Sequence, residues 1–322
     1  MNIFVAGASG AIGRRLVPRL VAGGHDVTGT TTSPRHNATI ARMGARPVVL
    51  DALDGDAVMR AVQDAAPDVI IHQMTALAGW NDLKHFDDGF AVTNRLRTEG
   101  VDHLIRAARA AGTRRLIVQS FASLAGIREG GPVKTEADPF DPNPPEAMRN
   151  TFAALQHLEA SVTGANDLEG LVLRYGFLYG PGTSLDEGGD YPELVRKRQF
   201  PIIGNGAGVW SFTHVDDAAT AAVIAVERGA PGVYNIVDDE PAPVAEWLPV
   251  FAEAAGAKPP RRFPVWLGRM FVGEPGVMMM TQVRGASNAK AKRELGWRPG
   301  QPTWRDGFRA ELSRGGASSR AA

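Results

Sequence analysis

The chain has no cysteine. Disulfides, thiolate metal sites and a cysteine nucleophile are therefore excluded. Neither charge is in excess, with 35 Lys plus Arg against 35 Asp plus Glu. Nothing in that balance points to nucleic acid or an anionic membrane as a partner. A long apolar run is also missing. The most apolar late stretch, residues 263–280, is broken by Arg269, Glu274, Pro275 and several glycines, and fails as a membrane span. The start shows no charged leader before an apolar run, so the expectation is a cytoplasmic soluble protein without a signal peptide. No group of histidines and carboxylates has metal-ligand spacing, and no metal is expected.

What the chain does have is glycine, placed at its start. Residues 2–6 form a short apolar run suited to a buried parallel strand. Gly7, Gly10 and Gly13 follow, and then Arg14, Arg15 and the apolar period Leu16, Val17, Leu20, Val21 read as a helix. Glycines at a strand-to-helix turn are the setting in which such a motif carries meaning. Gly7 permits the sharp turn, Gly10 the approach of a pyrophosphate, and Gly13 close packing of helix on strand. The helix start, with Ser9, Ala11 and Ile12 around it, offers N–H groups and a positive dipole end to phosphates. The spacing predicts a dinucleotide site, with a plain tight turn as the alternative.

Residues 25–31, 47–50, 68–74, 115–120 and 170–174 read as further strands. Residues 40–43 close a short helix, and 57–66, 93–111 and 145–162 read as helices. This alternation implies βαβ units and a parallel sheet. From residue 175 the pattern loosens, with 212–226 and 232–236 reading as one more helix and strand returning to the sheet. Residues 244–255 and 259–280 form a helical, Pro-rich region. The expected division is an NAD(P)-binding domain at 1–175 and 209–237 and a smaller substrate lobe at 176–208 and 238–314. The small, polar stretch 315–322 is expected to be a disordered tail.

Parallel sheets of this kind bind ligands beyond the carboxyl ends of their strands. A site that prefers NAD places an acid about 20 residues past the glycines, on the ribose hydroxyls. Here that place holds Thr30, Thr31, Thr32 and Ser33. Hydroxyls, with Arg35 and Arg14 nearby, suit a 2′-phosphate instead. The sequence thus predicts NADPH as cofactor, with NADH as the alternative. Asp51 and Ala52 fall where the adenine would lie, and Gln73, Met74 and Thr75 where the ribose would lie.

The motifs now accumulate: GASGAIG at 7–13, Asp51-Ala52, IIHQ at 70–73, Asn94 with Thr98, and Glu159. LRYGFLYGPG at 173–182, FTHVDDAA at 212–219, GVYNI at 232–236 and KAKRELGWRP at 290–299 follow in order. With these the chain resembles the short-chain dehydrogenase/reductase superfamily, in its extended, epimerase-like branch, over residues 1–312. The resemblance implies a doubly wound α/β sheet, the Rossmann fold, with a smaller, mainly helical C-terminal substrate lobe. It also implies that the run Tyr175, Gly176 and Phe177 frames the nicotinamide through backbone groups, with Ser120 close by.

Such enzymes move hydride beside a Ser-Tyr-Lys set, in which tyrosine donates the proton and lysine lowers its pKa. This chain lacks it. No tyrosine has a lysine four residues later. Anchored on Glu159, the tyrosine place is Thr151 and the lysine place Leu155, while the serine place falls on Phe121. A second departure is Trp210, which stands where relatives that bind nucleotide sugars carry an arginine. Phe121 and Trp210 are accordingly candidate substrate contacts, suited to an aromatic ligand, and a packing role is the alternative for Trp210.

Three hydroxyls remain as candidates to orient a carbonyl or relay a proton: Ser120, Thr75 and Thr151. Water or a phenol of the substrate is a further proton source. His72 reads as a core histidine, and Asp216 and Asp217 as helix caps. The expected function is an NADPH-dependent ketoreductase of a small, largely apolar or aromatic metabolite such as a polyketide, in antibiotic biosynthesis. A non-catalytic NADP(H)-binding sensor and a sugar-nucleotide epimerase or dehydratase are the alternatives. The expected partner is a small molecule, with no nucleic acid or membrane, and the chain acts as monomer or homodimer.

Overall fold

The computed structural model describes residues 1–77 and 82–318. Seven strands form one parallel sheet: β1 (Asn2–Ala6), β2 (Asp26–Thr31), β3 (Arg46–Val49), β4 (Val69–His72), β5 (Arg115–Phe121), β6 (Glu169–Tyr175) and β7 (Gly232–Ile236). Their spatial order is β3-β2-β1-β4-β5-β6-β7. This is the doubly wound order expected from the alternation of strands and helices, and it reverses between β1 and β4. Register at that point pairs Ala6 with His72 and Val5 with Gly29.

Alternation along β1 divides the core into two layers. Ile3 and Val5 face Leu16, Val17 and Leu20 of α1 (Gly13–Ala22) and Ile40 of α2 (Asn37–Arg42), with Ala218 and Ala222 of α8 (Val215–Ala225). Phe4 and Ala6 face the other way, onto Val58 and Val62 of α3 (Gly55–Ala65), Leu104 of α5 (Val101–Ala111) and Leu158 of α6 (Arg149–Thr163). A strand with both faces covered is apolar along its buried length, which is what Ile3, Phe4, Val5 and Ala6 supply. α1 is tied to α8 across the surface by Arg19, whose guanidinium donates to Asp216 at 2.6 Å.

Two expected elements differ in detail. The helix expected at 93–111 begins earlier, as α4 (Phe86–Arg95), and reaches α5 through a wider π turn, Leu96–Gly100. The helix expected at 212–226 loses its first residues to a short strand, Phe212–His214, which pairs with Phe177–Tyr179. α8 then starts at Val215, and its cap is the His214 ring, which accepts from Asp216 N–H. Asp216 and Asp217 are therefore not the caps. Asp216 serves the arginines of α1, and Asp217 accepts the N–H groups of Gly300 and Gln301.

The lobe is built from α7 (Asp190–Arg196), α9 (Val244–Ala254), α10 (Val265–Thr281) and α11 (Trp304–Ser318). Its core is aromatic, with Trp210, Phe212, Trp247, Phe251, Trp304 and Phe308 fully buried. Apolar packing runs across the expected boundary: Trp210 and Phe212 share a cluster with Trp247 and Phe308 as well as with Phe152 and Leu155, and Ala291, Leu295 and Trp297 pack with the sheet. α11 runs to Ser318, into the stretch expected as a tail from 315, and residues 319–322 lie outside the described residues. Among the described residues no helix is long and apolar enough to cross a membrane.

One buried ion pair joins three elements. Glu159 of α6 accepts two hydrogen bonds from Arg174 of β6, at 2.8 and 2.6 Å, and one from Ser120 of β5 at 2.6 Å. Breaking such a pair from one side leaves an uncompensated charge and costs about 3–5 kcal/mol, while an apolar pair of matching volume is near neutral. Glu159→Gln and Arg174→Met should each lower the urea midpoint markedly, and Glu159→Met with Arg174→Met should recover much of the loss. Equal, additive losses would show that the two charges do not act as a pair.

Asp238 is buried where the lobe meets the sheet. Its Oδ2 accepts Trp304 N–H at 3.1 Å, while Oδ1 has no partner among the described residues. Burial pushes its carboxyl up to about 8. The folded state then holds the proton more tightly than the unfolded chain, so stability falls as pH rises from about 4 to about 8. Asp238→Asn should remove that slope in urea melts, gaining on the wild type most at pH 8–9. A variant that loses stability equally at all pH values would show that the carboxyl stays ionised in the fold.

Candidate active site

The turn after β1 is shaped by what cannot fit there. Gly7 has φ +96°, and a methyl group on it would lie 2.8 Å from the Gln73 carbonyl oxygen at the end of β4. A methyl group on Gly13 would lie 2.4 Å from Gly7 O and 2.6 Å from Ala8 O. Gly10 differs. Beyond Gly7 O at 3.4 Å its missing side chain would enter open space. That open space is where a pyrophosphate passes in sites of this type. α1 begins after Ile12 with no side-chain cap and no acid in its first turn. The N–H groups of Ala11 and Ile12 donate to nothing among the described residues. The residues present thus fit a dinucleotide diphosphate.

The groups beyond the strand ends follow in order. After β2, Ser9 donates to Thr31 Oγ1 at 3.2 Å, which also accepts Ser33 N–H. Thr32 and Arg35 are exposed, and the Arg35 guanidinium has no partner among the described residues. Arg14 donates to Ser9 O at 2.8 Å. After β3, Asp51 accepts Leu53 N–H, and Ala52 is buried with its carbonyl on His103. After β4, Gln73 is buried and donates to Tyr175 OH at 3.3 Å, and its Oε1 has no partner among the described residues. Met74 is half-buried, and Thr75 is exposed, close in sequence to residues 78–81, which lie outside the described residues.

The remaining candidates are constrained. Ser120 is 2% exposed, and its hydroxyl is given to Glu159. Thr151 is fully buried and donates to Asp87 Oδ1 at 2.7 Å while accepting from Asn94 Nδ2 at 3.0 Å. Asp87 also accepts the N–H groups of Asn150 and Thr151, so it caps the start of α6 from α4. Leu155 is fully buried in an apolar cluster with Met148 and Phe152. Thr75 alone of the three hydroxyl candidates reaches solvent. The tyrosines do not replace the missing acid. Tyr175 donates to Ala218 O, and burial pushes its phenol well above the usual range. Burial does the same to Tyr179, whose hydroxyl has no partner among the described residues. His72 is held neutral, its pKa lowered to about 4 by burial, between Leu96 O and Met74 N–H.

An aromatic stack stands over this end of β5. Phe121 meets Phe177 edge-on with centroids 5.1 Å apart, and Phe177 stacks on Trp210 at 3.6 Å. Trp210 is 1% exposed, and its N–H is given to Met279 O at 2.8 Å. It packs behind Phe177 rather than presenting a face, whereas Phe121 and Phe177 are half-buried. The backbone N–H groups of Gly176 and Phe177 are spent on Thr213 Oγ1 and Ser211 O. The sequence pattern passes over two residues here: Asp87, which bonds Thr151 directly, and Arg97, which reaches it through Asn94. Arg97 carries a readable signal, a charge on the same helical stripe as Phe90, Asn94, Val101 and Leu104.

Residues 3–237 match the NAD dependent epimerase/dehydratase family. The chain is 46% identical over 312 residues to the 3-diazoavenalumate denitrifying reductase of a Streptomyces species, covering 97% of this chain and 100% of that protein. It is 29% identical over 269 residues to the 2-alkyl-3-oxoalkanoate reductase of Stenotrophomonas maltophilia, covering 80% and 76% of the two chains. The UDP-glucose 4-epimerase of Thermus thermophilus, solved in complex with NAD, superimposes with a TM-score of 0.73 at 25% identity, over 97% of this chain and 98% of that one. The matched strand order, the glycine turn and the whole-length likeness agree, and the chain belongs to the NAD dependent epimerase/dehydratase family.

Proposed function

We propose that this oxidoreductase uses NADPH to reduce an aromatic diazo compound with loss of dinitrogen. One observation carries the reading: the site keeps its cofactor half, while the tyrosine and lysine places hold no acid and the Ser120 and Thr151 hydroxyls are committed to carboxylates. The serine, tyrosine and lysine places hold Phe121, Thr151 and Leu155, and the two hydroxyls nearest them are given to Glu159 and Asp87. A ketone takes a proton at oxygen as hydride reaches its carbon. An aryl-diazonium group does not need one. Bound at the glycine turn, the reduced nicotinamide supplies hydride, so that ArN2⁺ and NADPH give ArH, N2 and NADP⁺. The name of the 46% identical relative, a denitrifying reductase of a diazo compound, supports the same substrate class.

In this reading the chain's residues bind, orient and exclude water. Gly7, Gly10 and the start of α1 hold the diphosphate, with Asp51 and Ala52 toward the adenine and Gln73, Met74 and Thr75 toward the ribose. Thr32, Arg35 and Arg14 take the 2′-phosphate, supported by the absence of an acid after β2. Phe121 and Phe177 supply an apolar wall for an aromatic ring and keep water from it. A ketone is the second reading, favoured by the oxoalkanoate reductase relative, with water or a substrate phenol as acid.

The purified protein, given NADPH and an ortho-hydroxy aryl-diazonium acid, should oxidise one NADPH per N2 released, well above the enzyme-free rate. Nicotinamide deuterated at C4 should place deuterium on the arene. Turnover of aryl ketones with none of the diazo compound would replace the first reading by the second, and turnover of neither would sink both. For the cofactor, Arg35→Ala should raise the Kd for NADPH about tenfold or more and leave that for NADH unchanged. An equal effect on both cofactors would remove Arg35 from the 2′-phosphate.

A further inference from the structure

Three arginines are buried among the described residues with at most 6% of their surface exposed: Arg97, Arg115 and Arg174. Two have complete surroundings. Arg174 is bidentate to Glu159. Arg115 meets Glu169 and the carbonyls of Ala225, Arg228 and Gly229 at the end of α8. Arg97 has no such set. Among the described residues no carboxylate lies within ion-pair distance, and its one hydrogen bond is a long one, 3.5 Å from Nη1 to Asn94 Oδ1. Its guanidinium otherwise lies 5.7 Å from the ring centre of Phe90. Burial without an anion lowers its pKa to about 10.

Its location decides what the missing partner is. Arg97 sits in the π turn Leu96–Gly100, whose first carbonyl meets His72 at the carboxyl end of β4. Its charge is felt at that ring. Its partner Asn94 donates to Thr151, the residue in the tyrosine place. The cation therefore stands at the ligand-binding edge of the sheet, one side chain from the position where the family's chemistry is absent. A buried charge is stable when a counter-charge and further hydrogen bonds complete it, and here the described residues supply no counter-charge. The guanidinium fork matches a planar anionic oxygen pair.

We propose that Arg97 is the subsite for an anionic oxygen of the aromatic substrate, a carboxylate or a phenolate. It fixes the ring's orientation and selects anions over neutral analogues, and transfers no proton. This deepens the reading above, on which it rests for the aromatic part of the ligand. The same charge gives an acid substrate a counter-ion that Thr151 and Leu155 cannot provide.

The test is calorimetric titration of the full chain, in excess NADP⁺, with cinnamate, methyl cinnamate and 4-nitrophenolate. Cinnamate or 4-nitrophenolate should bind at least about tenfold more tightly than the ester. Whichever anion is preferred identifies the oxygen. Arg97→Met should abolish that preference while melting at or above the wild-type temperature, because it removes an uncompensated buried charge. Arg97→Lys should keep part of the preference. An unchanged preference in Arg97→Met, or no preference in the wild type, overturns the proposal. A melting temperature lowered in both variants with the anion preference kept would make the guanidinium structural, and overturn it too. These are binding measurements, so diazo turnover and the anion subsite stand or fall separately.

Discussion

Gly7 and Gly13 leave no room for a side chain where β1 passes into α1, and the rest of the candidate site is built outward from that crowding. The Gln73 carbonyl and the Gly7 backbone are in contact because β1 and β4 are neighbours whose connections leave on opposite faces of the sheet. The same approach puts α1 against its own turn at Gly13. A crevice opens only beyond these contacts, at Gly10. The candidate cofactor cradle is thus a by-product of strand order and close packing, built mainly from backbone.

On the opposite flank the available hydroxyls serve the scaffold. Ser120 and Thr151 both carry hydroxyls at useful positions, yet each donates to a carboxylate that belongs to the scaffold. Glu159 locks α6 onto β5 and β6, and Asp87 caps α6 from α4. A hydroxyl bound to an ionised carboxylate is a poor acid, because its proton is already shared with a stronger acceptor. The helix on which the family pattern would present a tyrosine and a lysine is held by these contacts, with Thr151 and Leu155 at those two places. What remains beside the candidate cofactor turn is a largely apolar surface, with Phe121 and Phe177 half-buried on it.

Much of this is legible in the chain itself. Apolar runs bounded by turns locate every strand of the main sheet, and the glycines locate its switch point. The departure from the Ser-Tyr-Lys pattern is read from the absence of any tyrosine with a lysine four residues later, from the spacing to Glu159, and from the run after the fifth strand. Local pattern fails where tertiary partners decide. Phe212, Thr213 and His214 continue an apolar run into α8, and only the neighbouring Phe177–Tyr179 makes them a strand. Trp210 reads equally well as a ligand platform or as core, and the Met279 carbonyl and the aromatic layer behind it settle its packing. Ser120 reads as available because its acceptor, Glu159, lies 39 residues away, beyond the reach of any local pattern. Arg97 escapes for a different reason: a charge on a helix is taken for a solvated face unless the stripe it lies on is followed through.

The stack of Phe121, Phe177 and Trp210 has a consequence for how such a pocket changes over time. The rings that form the candidate substrate wall are the outermost layer of the lobe's aromatic core, with Trp247 only 4.7 Å beyond Trp210. The wall has no independent loop to bend, so its shape is inherited from residues no ligand touches. Drift in the interior of the lobe is therefore drift in specificity. A lineage that keeps its cofactor turn intact can acquire new aromatic substrates by repacking tryptophans two layers away from them.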